Sequence, residues 1–266
     1  MQFTLLGHVR MISHDELRED KEGGKCFVIA DINGDLPLLK GVLQYIENAP
    51  LASNDKVIFL GNIVGTGEHS KEVIDLLQAY QFNRKEQVVI LRGANEHKLI
   101  TANDKYYASK QALQCINSYR TFKSRPANKS SLNKIDFTKF FKDLKWLASL
   151  PSFHITNRYL FVHSGVKIDT PLEKQDTHSC VFVQNAASFG SDRCDTAYIT
   201  NHGEVKELIM VHSNSQFPFQ SMAPRFNKFN YDLGCAVNPG QELPMLILGE
   251  SGKWVTNKPK VVKIHR

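Results

Sequence analysis

KVIFLGNIVGTGEHSKEVIDLL, residues 56–77, reads as a strand, a loop and then a helix. The apolar run Val57, Ile58, Phe59 and Leu60 is long enough for a buried strand and stops at Gly61. A glycine-rich turn leads to Gly67, and residues 70–77 resume with apolar positions at helical spacing. Two further segments share this grammar. Cys26, Phe27, Val28, Ile29 and Ala30 run into the polar loop Asp31-Ile32-Asn33-Gly34-Asp35, and Val88, Val89, Ile90 and Leu91 run into Arg92-Gly93-Ala94-Asn95-Glu96-His97. In an open α/β sheet, loops at the carboxyl ends of neighbouring buried strands converge on one crevice, so these three loops should build one site.

With 266 residues, 42% of them hydrophobic, the chain can bury a substantial core as one domain or as a domain with a cap. Its five cysteines, Cys26, Cys115, Cys180, Cys194 and Cys235, are odd in number and include no C-x-x-C pair. That argues against a disulfide framework or a zinc knuckle and fits a reducing cytoplasm. The apolar run between Met1 and Gly7 is too short for a signal peptide and has no basic residue before it. No run of roughly eighteen apolar residues occurs, which excludes a membrane span on pattern. A net charge of +6 and a pI near 9.0 favour acidic partners.

In order and spacing the three loops resemble the metal-binding motifs of the calcineurin-like metallophosphoesterases, particularly the phosphoprotein phosphatases and the diadenosine tetraphosphatase-like branch. The family pattern is Gly-Asp-x-His-Gly, then Gly-Asp-x-Val-Asp-Arg-Gly, then Gly-Asn-His-Glu. The chain has Ala30-Asp31-Ile32-Asn33-Gly34, then Gly61-Asn62-Ile63-Val64-Gly65-Thr66-Gly67, then Gly93-Ala94-Asn95-Glu96. Further on, Phe161-Val162-His163-Ser164-Gly165-Val166 is similar to the family's Val-His-Ala-Gly segment. Val211-His212-Ser213-Asn214 falls where the family has Gly-His-Thr, and Asn230-Tyr231-Asp232-Leu233-Gly234-Cys235-Ala236 resembles its Asn-Ile-Asp-Thr-Gly-Ala strand. Six motifs in order are far more specific than any one alone.

The resemblance implies an α/β sandwich of two mixed β-sheets flanked by helices, one domain over residues 1–266 with a helical basic insert at about 103–150. It also implies a site. The family's metal ligands fall on Asp31, Asn33, Asn62, Ala94, His163 and Ser213, and only Asp31 and His163 keep the ligand type. The carboxylate that bridges both metals is the neutral Asn62, and Ala94 has no donor atom. The catalytic histidine falls on Asn95, its partner aspartate on Gly65, and the phosphate-binding arginine on Thr66. Such enzymes use two ions roughly 3.5–4 Å apart to make a hydroxide and clamp the phosphoryl oxygens. Mn, Fe and Zn want imidazole and carboxylate, so the expectation is no cofactor, the alternative being a single weakly bound Mg or Mn ion. A register shift that treats Ala94 as an insertion makes Asn95 the amide ligand and brings Glu96 or His97 toward the catalytic position, while His212 lies one residue from Ser213.

Outside the motifs, residues 1–24 read as a leading strand or hairpin, and Leu36, Leu39, Val42, Leu43 and Ile46 mark a helix that ends by Pro50. Residues 105–145 read as helices with a polar break at 124–131, and Phe137, Phe140, Phe141, Leu144 and Leu147 mark an amphipathic helix before Pro151. Strands at 159–163, 209–211, 229–234 and 245–248 are expected to form the second sheet. Read singly, His163 is a hydrogen-bonded core histidine rather than a ligand, Asp31 caps the next helix or accepts bonds in its turn, Arg92 is a structural donor, and Trp146 is helix-face core.

The expected function is that of a pseudophosphatase: a serine/threonine-phosphatase-like chain, catalytically inactive or strongly impaired, that works as a binding or regulatory protein. The alternatives are a weak metal-dependent phosphoesterase or nucleotide phosphohydrolase with a rebuilt site, and a nucleic-acid-binding module. Residues 105–145 hold ten Lys or Arg against two acids, and the tail beyond Ser251 adds Lys253, Lys258, Lys260, Lys263 and Arg266 with no acid. Such charge runs are most often solvated faces. As a binding surface, Lys123, Arg125, Lys129 and Lys134 point to an acidic protein partner. Tyr106, Tyr107, Tyr119 and Phe122, interleaved with the bases, make nucleic acid the alternative.

Overall fold

The structure, a computed structural model, describes residues 24–49, 51–101, 110–121, 134–156, 159–167, 170–182, 198–201, 204–207, 209–213, 225–226, 230–232, 243–249 and 260–264. The expected leading segment, the polar break with Lys123, Arg125 and Lys129, the aromatics Tyr106, Tyr107 and Phe122, and the tail residues Lys253, Lys258 and Arg266 lie outside the described residues.

Strands β1 (Lys25–Ile29), β2 (Lys56–Phe59) and β3 (Val88–Ile90) are parallel neighbours, joined by helices α1 (Leu36–Asn48) and α2 (Ser70–Arg84). Their apolar runs do not alternate because both faces of the sheet are covered. In α1, Leu38, Leu39, Val42, Leu43 and Ile46 are buried, and Asp35 caps the helix by accepting from the Leu38 N–H at 3.1 Å. The cap is thus Asp35 and not Asp31, and Pro37 in the first turn reinforces it.

Helix α3 (Ala94–Ile100) begins directly after the third loop, and α4 (Lys110–Asn117) follows. A two-stranded ribbon, β4 (Arg120–Thr121) with β5 (Lys134–Ile135), interrupts the all-helical segment expected from sequence; strands of two residues are too short to show alternation. Lys134 opens β5. In α5 (Phe137–Ser149), Phe140, Leu144 and Leu147 are buried, whereas Phe137 and Phe141 are half exposed, so the apolar face is narrower than the spacing suggested. The buried Asp143 on α5 accepts from the Tyr119 hydroxyl at 2.9 Å and from Lys139. Tyr119 is therefore core and cannot serve as a stacking platform.

The second sheet holds β6 (Phe153–Ile155), β7 (Tyr159–Val162), β10 (Ile209–His212), β11 (Arg225–Phe226) and β12 (Asn230–Asp232) in the order β11-β12-β10-β7-β6, parallel through its centre and antiparallel at both edges. Helix α6 (Thr177–Phe182) and a hairpin of β8 (Tyr198–Asn201) with β9 (Glu204–Glu207) lie between β7 and β10 in the chain. Successive residues of β7 face opposite ways. Tyr159 and Phe161 join the large core shared with the first sheet, while Leu160 and Val162 join a smaller one with Met210, Val166 and Cys180.

Strand β13 (Leu243–Gly249) corrects the sequence reading. It belongs to the first sheet, antiparallel to β1, with β14 (Lys260–Ile264) outside it, giving the order β14-β13-β1-β2-β3. Without it the buried β1 would be an edge strand with unpaired N–H and C=O groups. The fold is α/β with two mixed five-stranded sheets. Among the described residues no helix is long and apolar enough to cross a membrane.

Candidate functional site

The first two loops are sewn together through their backbones. Ile32 N and Asn33 N both donate to Asn62 O, Gly34 N donates to Ile63 O at 2.8 Å, and Gly67 N donates to Asn33 O at 2.7 Å. Asn33 and Asn62 lie at φ 53° and 50°, a left-handed conformation that asparagine tolerates better than most residues. These asparagines thus have a backbone role that the sequence reading did not assign. Gly61, at φ 106°, lets the third loop pass close by: a Cβ there would lie 2.5 Å from Gly93 N.

On this scaffold six of the expected positions meet in one hydrogen-bonded chain. Asp31, at the end of β1, is buried; its Oδ2 accepts from Asn62 Nδ2 at 2.8 Å and its Oδ1 from Ser213 Oγ at 3.0 Å. The other end of the Asn62 amide, Oδ1, accepts from Asn95 N at 2.8 Å. Asn95 Nδ2 in turn donates to Asn33 Oδ1 at 3.0 Å and to Val64 O at 2.9 Å. His163, at the end of β7 and buried, places Nδ1 3.0 Å from Leu60 O and 3.3 Å from Ser213 Oγ. Because Leu60 O can only accept, that nitrogen carries the proton. Gly65 makes room for the arrangement, since a Cβ there would come within 2.7 Å of Asn33 Oδ1 and 3.0 Å of Asn95 Nδ2. Ala94 opens α3 and offers no donor, and Thr66 is exposed on its loop.

Of the three alternative residues, Glu96 and His97 lie on α3, and His212 directly precedes Ser213. Glu96 is wholly buried in the first turn of α3; its Oε2 accepts from Asn62 N and Gly93 N, both at 2.8 Å, and its Oε1 from Val64 N at 3.0 Å. Burial pushes this carboxyl up from the ordinary range, and the three N–H donors pull against it. The residue staples the second loop to the third. Its signal in the sequence is the spacing Gly93-x-x-Glu96, a glycine N-cap with an acid at the third helical position. His97 lies edge-on to His178 and Phe182, at 5.9 and 5.4 Å between ring centres, and burial, with Arg92 and His178 adding, pushes it down to about 4. His212 is buried at the end of β10. Arg92 points its guanidinium at the carbonyls of Ala148 and Leu150, fastening the third loop to the end of α5.

This donor set does not fit a pair of transition-metal ions. The site carboxylate, Asp31, has both oxygens engaged by N–H and O–H donors, and the side chains linked to it through Asn62 and Ser213 are neutral amides and a hydroxyl. Among the described residues no group of three His, Cys, Asp or Glu side chains could hold a metal. A neutral, buried His163 has a consequence that can be measured. Burial first, then His212 and Lys98, lower its pKa from 6.5 to about 4. The unfolded chain therefore takes up the proton first as pH falls below 6.5, so stability is complete above that value and declines toward pH 4. In EDTA, denaturant titrations at pH 7 and pH 5 should differ by about 2 kcal/mol from this group, and His163→Asn, which keeps a donor for Leu60 O, should remove that part. An unchanged pH slope in the variant would refute the assignment.

Comparison with known proteins agrees with this architecture. Over 93 residues the chain is 32% identical to the PP2A-like serine/threonine-protein phosphatase PPG1 of Candida albicans, covering 35% of this chain and 20% of that protein. The match thus spans about a fifth of that relative's length. Among solved structures, a candidate diadenosine tetraphosphatase superposes over 90% of this chain and 93% of its own, with a TM-score of 0.50 and 13% identity. A metallophosphoesterase from Sphaerobacter thermophilus superposes over 91% and 88%, again with a TM-score of 0.50 and 13% identity. These two share the fold. The calcineurin-like phosphoesterase profile matches residues 24–236, most of the chain and all three loops, and the chain accordingly belongs to the calcineurin-like phosphoesterase family.

Proposed function

We propose that the chain is a pseudophosphatase: a phosphatase-like scaffold whose crevice no longer supports metal-dependent hydrolysis and which acts by binding another molecule. One observation carries the reading. Asn62 and Ser213, at positions where the family places ligands, direct hydrogen-bond donors at the two oxygens of Asp31, which a metal centre would need as lone pairs. The rest of the crevice supports it, because Asn95 is occupied by Asn33 and Val64 and Gly65 has no side chain to orient a general acid. Loss of a general acid alone typically reduces a rate by about 10²–10⁴, and loss of an electrostatic clamp by about 10²–10³. Buried free thiols at Cys26, Cys115 and Cys180 suit a reducing compartment such as the cytoplasm. The surplus of Lys and Arg over residues 105–145 supports an acidic protein partner over nucleic acid, now that Tyr119 is core.

The test is direct. Protein purified without chelator should carry less than one equivalent of Mn, Fe or Zn by elemental analysis. Its turnover of an aryl phosphate, a phosphopeptide and diadenosine tetraphosphate should equal a buffer blank. Two transition-metal ions per chain, or turnover that survives repurification and vanishes in Asp31→Ala, would overturn the proposal in favour of a weak metal-dependent phosphoesterase.

A further inference from the structure

Helix α2 leaves the crevice at Ser70, and at 1.5 Å per residue Phe82 lies about 18 Å farther along its axis. At that distant end a groove of about 530 Å³ opens between α2 and α5, lined by Gln78, Gln81, Phe82 and Lys85 from the α2 side and Lys142 and Trp146 from α5. Phe82 is 81% exposed, the most exposed large apolar side chain among the described residues. Residues 78, 81, 82 and 85 fall at helical spacing, so they form one stripe that continues through the end of the helix.

Among the described residues the groove carries positive charge with no carboxylate in its lining. Elsewhere on the same helices Lys71 pairs with Asp75, Arg84 with Glu47, and Lys139 with Asp75 and Asp143, while Lys145, one turn along α5 from Lys142, is exposed and adds to the positive charge there. Among the described residues, Lys85 and Lys142 have no carboxylate partner and the Trp146 indole N–H has no acceptor. Glu86 follows Lys85 in sequence but does not line the groove. The backbone adds a second asymmetry. Lys85 caps α2 at φ 45° and ψ −116°, a conformation in which glycine would be far less strained, yet the residue there is a lysine whose side chain reaches the groove.

We propose that this groove docks a short acidic segment of a partner protein, with one aromatic or aliphatic anchor seated against Phe82 and Trp146 and its carboxylates reaching Lys85, Lys142 and the indole N–H. Apolar surface supplies the anchor site, and two uncompensated ammonium groups set the sign of what flanks it. A single-stranded nucleic acid also needs stacking groups and cations, but it needs the cations in a track along its backbone, and this groove has two. The occupant is independent of the chemistry of the crevice: an active and an inactive centre would leave α2 and α5 alike.

The experiment uses the full chain as bait for a displayed library of random 12-residue peptides. Counter-selection is against the same chain carrying Phe82→Ser and Lys142→Glu, both at exposed positions, with folding checked by thermal melts. Selected peptides should share acidic residues around one Phe, Trp, Leu or Ile. Synthesised, they should bind the wild type at least tenfold more tightly than Phe82→Ser, Lys85→Glu or Lys142→Glu alone, and severalfold more tightly at 50 mM than at 300 mM salt. Binding should be titratable by Trp fluorescence. Failure to recover groove-dependent peptides, selected peptides without acidic enrichment, or affinities equal in all three variants would overturn the proposal. So would an oligothymidine that binds through these residues when the peptides do not, or self-association abolished by Phe82→Ser. Metal content and hydrolysis are separate readouts, so failure here and failure of the pseudophosphatase reading are distinguishable.

Discussion

Replacing Glu96 by Ala should be among the most damaging single changes available in this chain, with a loss of at least about 4 kcal/mol, because three buried N–H groups each lose an acceptor worth roughly 1–3 kcal/mol and a cavity opens beside them. The donors, on Asn62, Val64 and Gly93, belong to two different loops, so the change unfastens the crevice rather than trimming one contact. For a chain of this size that corresponds to a fall in melting temperature of about 10 °C. Glu96→Gln should be intermediate. With its oxygen at the Oε2 position it keeps the bonds to Asn62 and Gly93, but its NH₂ then faces the Val64 N–H. Urea and thermal melts of both variants decide the matter. If Glu96→Ala melts within 2 °C of wild type, Glu96 is not the staple described above.

The second large effect belongs to the two glycines where the loops touch backbone to backbone. Ala at position 61 would combine a φ of 106° with a Cβ 2.5 Å from Gly93 N and 2.6 Å from Gly93 Cα. Ala at position 93 would put a Cβ 2.2 Å from Asn62 N and 2.8 Å from Glu96 Oε2. The nearest atom is backbone in both cases, so the loops themselves must move. Each substitution should cost about 3 kcal/mol or more, either preventing folding or lowering the melting temperature by many degrees. Both report one contact, so the double variant should lose much less than the sum of the singles. Strict additivity, or a Gly61→Ala protein as stable as wild type, would show that the loops pass each other differently.

Much of the scaffold was legible because it is local. A buried run ending on a polar loop with a helix behind it is written contiguously at residues 26–46 and 56–77, and the structure has β1-loop-α1 and β2-loop-α2 there. What failed is non-local. The strand at 243–249 shows its apolar run in sequence, but its partner is 220 residues away, and nothing in its own residues says which sheet it joins. The same limit applies in the crevice. The motif positions picked out Asn33, Asn62 and Ser213 as members of one site, but that Asn62 and Ser213 donate to Asp31 and that Asn33 accepts from Asn95 could not be read, since those contacts join separate loops. Glu96 was read as a spare ligand because a carboxylate next to a metal motif invites that reading, although its place in the first turn after Gly93 signals a cap. At the groove the pattern of α5 put Trp146 in the core, and the structure has it only partly buried, packed against the core and also lining the groove.

The closed hydrogen-bond chain of the crevice also bears on which sequences are reachable from this one. Changing Asn62 alone to Asp would remove the donor 2.8 Å from Asp31 Oδ2 and leave two carboxylates in contact, each raising the other's pKa and weakening the fold. Changing Gly65 alone to Asp would drive a Cβ into the Asn33–Asn95 pair, and changing Asn95 alone to His would break the bonds to Asn33 and Val64. Each single step toward a metal-binding set is therefore penalised before any ion can compensate, because an ion needs several of the steps together. The crevice behaves as a ratchet: its polar contacts hold the door against piecemeal change toward a metal-binding set.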